Sequence, residues 1–254
     1  MAHIISVINN KGGTGKTTTV HNLGAALALK KKKVLLLDLD SQSNLSSALG
    51  INGKEPSFCD LITNAAKIDE TIIETGNLHG IPSSDKLLEN ELLLNNEPGR
   101  EYILKEMIDQ VANRYDYILI DCPPSMGTLS INSLVAAHSF IVPMQAENFA
   151  FIGLDRIMAI SGKVKKRMNP TLELEGILFV KLSPRTKFSQ AVISQLSGDE
   201  NFTGRLFNTF IRQDINLMES GAFHQTIFDY APKSHGAEDY KDLANEILKK
   251  HGKK

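Results

Sequence analysis

Residues Ile4-Ile-Ser-Val-Ile8 form a short apolar run, and a glycine-rich turn, KGGTGKTT over residues 11–18, follows almost at once. From Thr17 to Leu29, Val20, Leu23, Ala26 and Leu27 recur at helical spacing. A buried strand, a tight turn and a helix in immediate succession constrain the fold strongly. The strand needs cover on both faces, and a helix opening beside its C-terminal end makes an anion site. Glycines let backbone N–H groups converge on phosphate oxygens, and the helix dipole adds positive potential there. In such a loop Lys16 reaches the β- and γ-phosphates of a nucleotide and the Thr17 hydroxyl ligates Mg2+. The loop departs from the common G-x-x-x-x-G-K-[ST] form in one respect. Asn10 stands where the first glycine is expected, and a second lysine, Lys11, follows it.

Further along, apolar strand runs alternate with helical stretches, as in a parallel sheet covered on both faces. Strands are expected at Val34–Asp38, Tyr117–Asp121, Phe140–Met144 and Gly176–Lys181, with shorter ones at Leu78–Pro82 and Phe207–Ile211. Helices are expected at Gly99–Ala112, Leu129–Ala137, Gly153–Met168, Phe188–Leu196 and Gly236–His251. Residues 52–97 carry short apolar pieces punctuated by Asn, Ser and Gly, and give no clear period. The expected architecture is an α/β fold of the P-loop NTPase type: a mostly parallel central sheet with helices on both faces. No linker, repeat or low-complexity tract divides the chain, so residues 1–254 read as one domain.

Carboxylates fall where a nucleotide site needs them. Asp38 and Asp40 close the second strand in DLDSQSN, residues 38–44, and Asp121 closes the third in IDCPPS, residues 120–125. The C-terminal ends of parallel strands gather on one edge, where ligands bind. One carboxylate there can hold Mg2+ through water, and another can orient the water that attacks the γ-phosphate.

Composition excludes several other classes. Of 254 residues, 42% are hydrophobic and 22% charged, enough for a sizeable core. No apolar run approaches the roughly 18 residues of a membrane-spanning helix. Cys59 and Cys122 are far apart and form no metal-spaced pair, which suits a reducing compartment. The chain opens straight into a strand, so neither a signal peptide nor an N-terminal helix-turn-helix extension is expected, and the location is expected to be cytoplasmic. The net charge of −1 advertises no nucleic-acid binding. Basic clusters at residues 30–33, 163–167 and 249–254 read first as solvated helix ends.

These motifs together resemble the deviant Walker A class of P-loop ATPases that includes ParA and MinD. KGGTGKTT matches the deviant Walker A motif, residues 38–44 resemble the D-x-D-P-Q-x-N motif, and residues 120–125 match the Walker B segment. IPSS at 81–84, VPMQAE at 142–147 and DYAPKSHGAE at 229–238 resemble ParA-type partition ATPases more narrowly, so the likeness spans essentially the whole chain. The resemblance implies ATP and Mg2+ as cofactors, with Lys11, Gly12, Gly13, Thr14, Gly15, Lys16, Thr17 and Thr18 around the nucleotide. It makes Lys11 the signature lysine that reaches across an ATP-bound homodimer to the partner's phosphates. Gly12 would lie at the close subunit approach, Asp40 would position the attacking water, and Thr17, Asp38 and Asp121 would serve Mg2+. It also implies nonspecific binding of double-stranded DNA on the nucleoid. The LSPRTKF stretch, residues 182–188, and FIRQD, residues 210–214, resemble family segments that make Arg185 and Arg212 the leading contacts, with Lys187 and the C-terminal lysines behind them. The expected partner is a ParB-type or cargo-adaptor protein that stimulates slow hydrolysis.

Two departures stand out. Ser41 replaces the usual proline, and Gln213-Asp214 replace the end of the family's I-P-R-N stretch, which leaves the base and ribose contacts open. A sibling role in positioning a protein cargo would use the same residues. A MinD-like membrane ATPase would need a C-terminal amphipathic helix with large apolar residues. Here the tail after Leu248 has none, so no membrane partner is expected.

Overall fold

The computed structural model describes residues 2–51, 53–147 and 150–252, without the side chains of residues 150 and 151. Lys253 and Lys254, among the secondary candidates for DNA contact, lie outside the described residues.

Seven strands form one sheet: β1 (His3–Val7), β2 (Val34–Asp38), β3 (Ile73–Thr75), β4 (Leu78–Ile81), β5 (Tyr117–Asp121), β6 (Ser139–Met144) and β7 (Glu173–Phe179). Their order is β3-β4-β2-β5-β1-β6-β7, parallel throughout except for the edge hairpin β3–β4. That hairpin turns at Gly76, whose φ of 59° is left-handed.

Side-chain alternation divides the core between the two faces. Ile5, Val7, Leu36 and Leu119 point to one face, and Ile4, Leu35, Leu37, Ile118 and Ile120 to the other. The first face is covered by α1 (Lys16–Leu29) and α12 (His235–His251), which pack on each other. Between them Tyr240, fully buried on α12, brings its hydroxyl 3.3 Å from the Thr19 Oγ1 of α1. Gly24 of α1 lets that helix close on β2, since a Cβ there would lie 2.7 Å from Leu36 Cδ2. The opposite face carries α6 (Ile103–Asp109), α7 (Thr128–Ala136) and α8 (Ala150–Arg167). The other α-helices of the described residues are α2 (Asn44–Ala48), α3 (Phe58–Ile62), α4 (Ile68–Thr71), α5 (Leu87–Leu94), α9 (Lys187–Gly198), α10 (Ile215–Ala222) and α11 (Ile227–Tyr230).

Three expectations need correction. Phe207–Ile211 is not a strand. Phe207 and Ile211 each donate once to β7, but the N–H groups of Asn208 and Thr209 between them donate to the Glu246 carboxylate, each at 3.0 Å. A side chain on α12 takes the donors that a ladder would need. The helix expected from Gly99 instead starts at Ile103, because Gly99 sits at φ 71° and the Asn132 side chain accepts from the Leu104 N–H at 3.1 Å. The sheet strand expected to run to Lys181 ends at Phe179, and Lys181 adopts a left-handed φ of 50°.

Candidate nucleotide site

β1, β2 and β5 end in register: Val7 pairs with Asp121, and Asp121 with Asp38. The glycine-rich loop leaves β1 at this edge. Gly13 and Gly15 take φ of 72° and 78°, a region that a β-carbon disfavours, and Gly15 caps the first turn of α1. The loop is braced from several sides. Asn9 Nδ2 donates to the Pro143 carbonyl at 2.7 Å, and its Oδ1 accepts from the Lys11 N–H at 3.0 Å. Gln145 Nε2 and Lys181 Nζ both donate to the Gly13 carbonyl, at 2.8 and 3.1 Å.

Beside the loop opens a cleft of about 610 Å3, lined by Gly12 to Thr18, Asp40, Pro124, Val180, Arg212 and one face of α10. Lys16 is buried at its base and donates to the Lys11 carbonyl at 3.2 Å. Burial lowers the pKa of its ammonium, while Asp121, Cys122 and Asp40 pull it back up.

The three acids occupy different settings. Asp121 is fully buried, and neither of its carboxylate oxygens accepts a hydrogen bond of ordinary geometry. Burial first, and then the charge of Asp38, hold its pKa well above the carboxylate range, although the Thr17 hydroxyl and Lys16 nearby act the other way. An orphaned buried carboxylate beside a hydroxyl, at the phosphate end of a cleft, fits a hard divalent cation such as Mg2+. Asp38 is different. Its Oδ1 accepts from the Asp40 N–H at 3.0 Å, and its Oδ2 accepts from the Ser46 N–H and hydroxyl at 2.9 and 2.7 Å. Burial pushes its pKa up to about 6 against these hydrogen bonds. Asp38 therefore ties down the 40–46 loop from behind, and neither it nor Asp121 lines the cleft surface. Asp40 does line the cleft, with its Oδ1 accepting from the Gln42 N–H at 3.0 Å.

Lys11 stands apart from its neighbours. Its side chain pairs with Glu147 and lines a second hollow, of about 440 Å3, with Gln145, Gly153 and Arg156. Sequence reasoning missed Glu147, Gln145 and Lys181 as loop partners, although VPMQAE contains the first two.

Of the expected DNA contacts, Arg185 and Lys187 are exposed, on the loop before α9 and in its first turn. Arg212 is held elsewhere. Its guanidinium forks onto Asp239, with Nε–Oδ1 at 2.9 Å, and reaches Glu238 at 2.5 Å. Asp214, two residues on, caps α10 and accepts from the Gly236 N–H at 2.8 Å. With its charge already answered on two sides, Arg212 braces the cleft wall to α12 and presents no free cation.

No helix among the described residues is long and apolar enough to cross a membrane. Both cysteines are buried and form no disulfide.

A family model described as an AAA domain matches residues 2–174. The chain is 39% identical to the sporulation initiation inhibitor protein Soj of Bacillus subtilis, over 97% of this chain and 98% of that one. It is 38% identical to the chromosome-partitioning ATPase Soj of Treponema pallidum, over the full length of both. Among solved structures, the cobyrinic acid a,c-diamide synthase of Mycobacterium smegmatis with bound ATP analogue and magnesium superposes with a TM-score of 0.86, at 31% identity over 98% of this chain and 95% of that one. With the phosphate loop, the in-register acids and the second lysine of the deviant motif, these matches define the chain: it belongs to the ParA/Soj-type partition ATPases of the ParA/MinD class, enzymes that take ATP and Mg2+.

Proposed function

We propose that ATP converts this ATPase into a homodimer that binds double-stranded DNA without sequence preference, and that a ParB-type or cargo-adaptor protein stimulates slow hydrolysis to release it. The observation that carries this reading is the direction of Lys11. Its side chain is 61% exposed and points into the outer hollow toward Glu147, while the rest of the loop lines the nucleotide cleft. A cation aimed outward from its own site suits phosphates supplied by a second subunit, where it neutralises charge only once two subunits face each other.

In this mechanism the backbone N–H groups of residues 12–18 hold the phosphates, and Lys16 leaves the Lys11 carbonyl for the β- and γ-phosphate oxygens. Mg2+, when bound, would supply charge neutralisation to those phosphates, and Thr17 and Asp121 are the residues that would hold it. Asp38 fixes the loop that carries Asp40, and the Asp40 carboxylate orients the attacking water. In the dimer Lys11 gives up Glu147, so part of the interface energy is offset by breaking an exposed ion pair, an interaction of about 0–1 kcal/mol.

For DNA, Arg185 and Lys187 are the proposed phosphate contacts. Joining two copies doubles the count of cations on one face, which makes affinity depend on ATP and on salt. A dimer held to the nucleoid in this way needs no membrane partner.

The test is fluorescence anisotropy of a nonspecific duplex, with light scattering alongside, in Mg-ATP, Mg-ADP and no nucleotide. Tight, salt-sensitive binding is expected only with ATP, retained in Asp40→Ala and lost in Lys11→Ala. Dimerisation by ATP without DNA binding in any state would overturn the DNA platform. An ATP dimer undiminished in Lys11→Ala would overturn the role of that lysine.

A further inference from the structure

At the sheet edge opposite the nucleotide, the N-terminal ends of β1, β6 and β7 meet the last turn of α12. His3, Glu175 and His251 converge there, with one ligand atom from each lying within 4.8 Å of the others. Glu175 Oε2 is 3.2 Å from His251 Nε2 and 3.7 Å from His3 Nε2. Tetrahedral donors at about 2.0–2.2 Å from a zinc ion stand about 3.3–3.5 Å apart. Two of the three donor separations are thus near that spacing before any ion enters, and the third lies within 4.8 Å.

The surrounding contacts prepare these atoms. Tyr117 OH lies 3.0 Å from His251 Nδ1, and a phenol can accept from an Nδ1–H, the tautomer that would turn Nε2 into a ligand once an ion replaced its contact with Glu175. Ser139 Oγ donates to Glu175 Oε2 at 2.7 Å. Stacking on His138, with ring centroids 5.3 Å apart, positions the His3 ring. A neighbouring cation, Lys250, is drawn off by the Glu175 carbonyl at 2.9 Å and lies over the Phe207 ring, though its Nζ remains 4.0 Å from Glu175 Oε1. The side chains of His3 and His251 are 25% and 14% exposed, so an ion and a coordinating water can reach them.

We propose that His3 Nε2, His251 Nε2 and Glu175 Oε2 form a site for a zinc-like divalent cation, separate from the nucleotide's Mg2+. Two imidazoles and one carboxylate suit Zn2+, and its Co2+ surrogate, far better than Mg2+, which prefers oxygen ligands throughout. The ion would clasp the end of α12 to the first residue of β1.

The experiment uses the full chain without a polyhistidine tag, saturated with Mg-ADP so that the cleft is filled. Co2+ is titrated by visible absorption and then displaced by Zn2+, and thermal unfolding is followed with and without Zn2+. One equivalent is expected, with tetrahedral Co2+ bands and a rise in Tm on adding Zn2+. His251→Gln and Glu175→Gln should weaken binding at least tenfold, and Tyr117→Phe, which removes only the supporting hydroxyl, about 10–100-fold. Nucleotide binding by each variant checks that it has folded. Absence of binding below millimolar Zn2+, or wild-type affinity in both His251→Gln and Tyr117→Phe, would overturn the proposal.

Discussion

Replacing Asp121 with Asn separates what the nucleotide site needs from what the fold tolerates. The Asp121 carboxylate is fully buried, accepts no hydrogen bond of ordinary geometry, and lies beside Asp38, and burial with the Asp38 charge outweighs the nearby Thr17 hydroxyl and Lys16. Removing its charge relieves both the desolvation and the repulsion from Asp38. An unsatisfied buried polar group costs about 1–3 kcal/mol, and more when charged. Asp121→Asn should therefore stabilise the nucleotide-free protein by about that amount, roughly 2–10 °C in Tm for a chain of this length. The gain should depend on pH in a definite direction. With its folded pKa raised above the unfolded value, Asp121 binds more protons in the native state, so wild-type stability falls as pH rises from about 4 through the raised pKa. The gap between variant and wild type should be widest near neutral pH and close toward pH 4. Calorimetry in EDTA measures it. Adding Mg-ADP at a hundred times Kd should raise wild-type stability by about 2.7 kcal/mol, and should raise Asp121→Asn far less. If the variant melts below wild type in EDTA at neutral pH, the carboxylate has a partner and the argument fails.

Other parts of the molecule give three more expected outcomes. His21, buried beneath the cleft, has its pKa lowered to about 4, chiefly by burial. Its contribution is complete above the unfolded value of about 6.5 and falls away as pH drops toward 4, by up to about 3 kcal/mol, so urea titrations of His21→Asn against wild type should converge in that window. Gly176→Ala places a Cβ 2.6 Å from the Phe207 ring. That overpacking should cost about 1–3 kcal/mol in thermal unfolding without altering nucleotide affinity. Arg212→Ala should lower stability and leave the salt slope of DNA binding unchanged, whereas Arg185→Ala should reduce the slope by about 1 for each phosphate left without its cation. A reduced slope in Arg212→Ala would return that arginine to the DNA face.

The central strands and the phosphate loop could be read from the chain because their signals are local. β2 and β5 are unbroken apolar runs closed by Asp, and residues 11–18 carry their chemistry in consecutive positions. What stayed hidden depends on distant partners. Phe207–Ile211 has strand composition, yet Glu246, far along the chain, takes its backbone donors. Asp38 and Asp121 look alike as strand-ending acids, and the hydrogen bonds from Ser46 and the Asp40 N–H are what make the first a loop anchor. The helices of 52–97 are too short for any period to emerge: α3 and α4 are held at their starts by the Asp60 and Glu70 carboxylates, which accept from the Ser57 and Lys67 N–H groups, and not by an amphipathic stripe.

The packing of α12 on α1 also has a consequence for how the protein is made. Thr19, just behind the phosphate loop, finds its partner Tyr240 only after more than two hundred further residues have been synthesised. Arg212, in the wall of the same cleft, likewise takes its acids from α12. A growing chain on the ribosome therefore carries the nucleotide motif long before α12 can make its contacts to Thr19 and to the cleft wall.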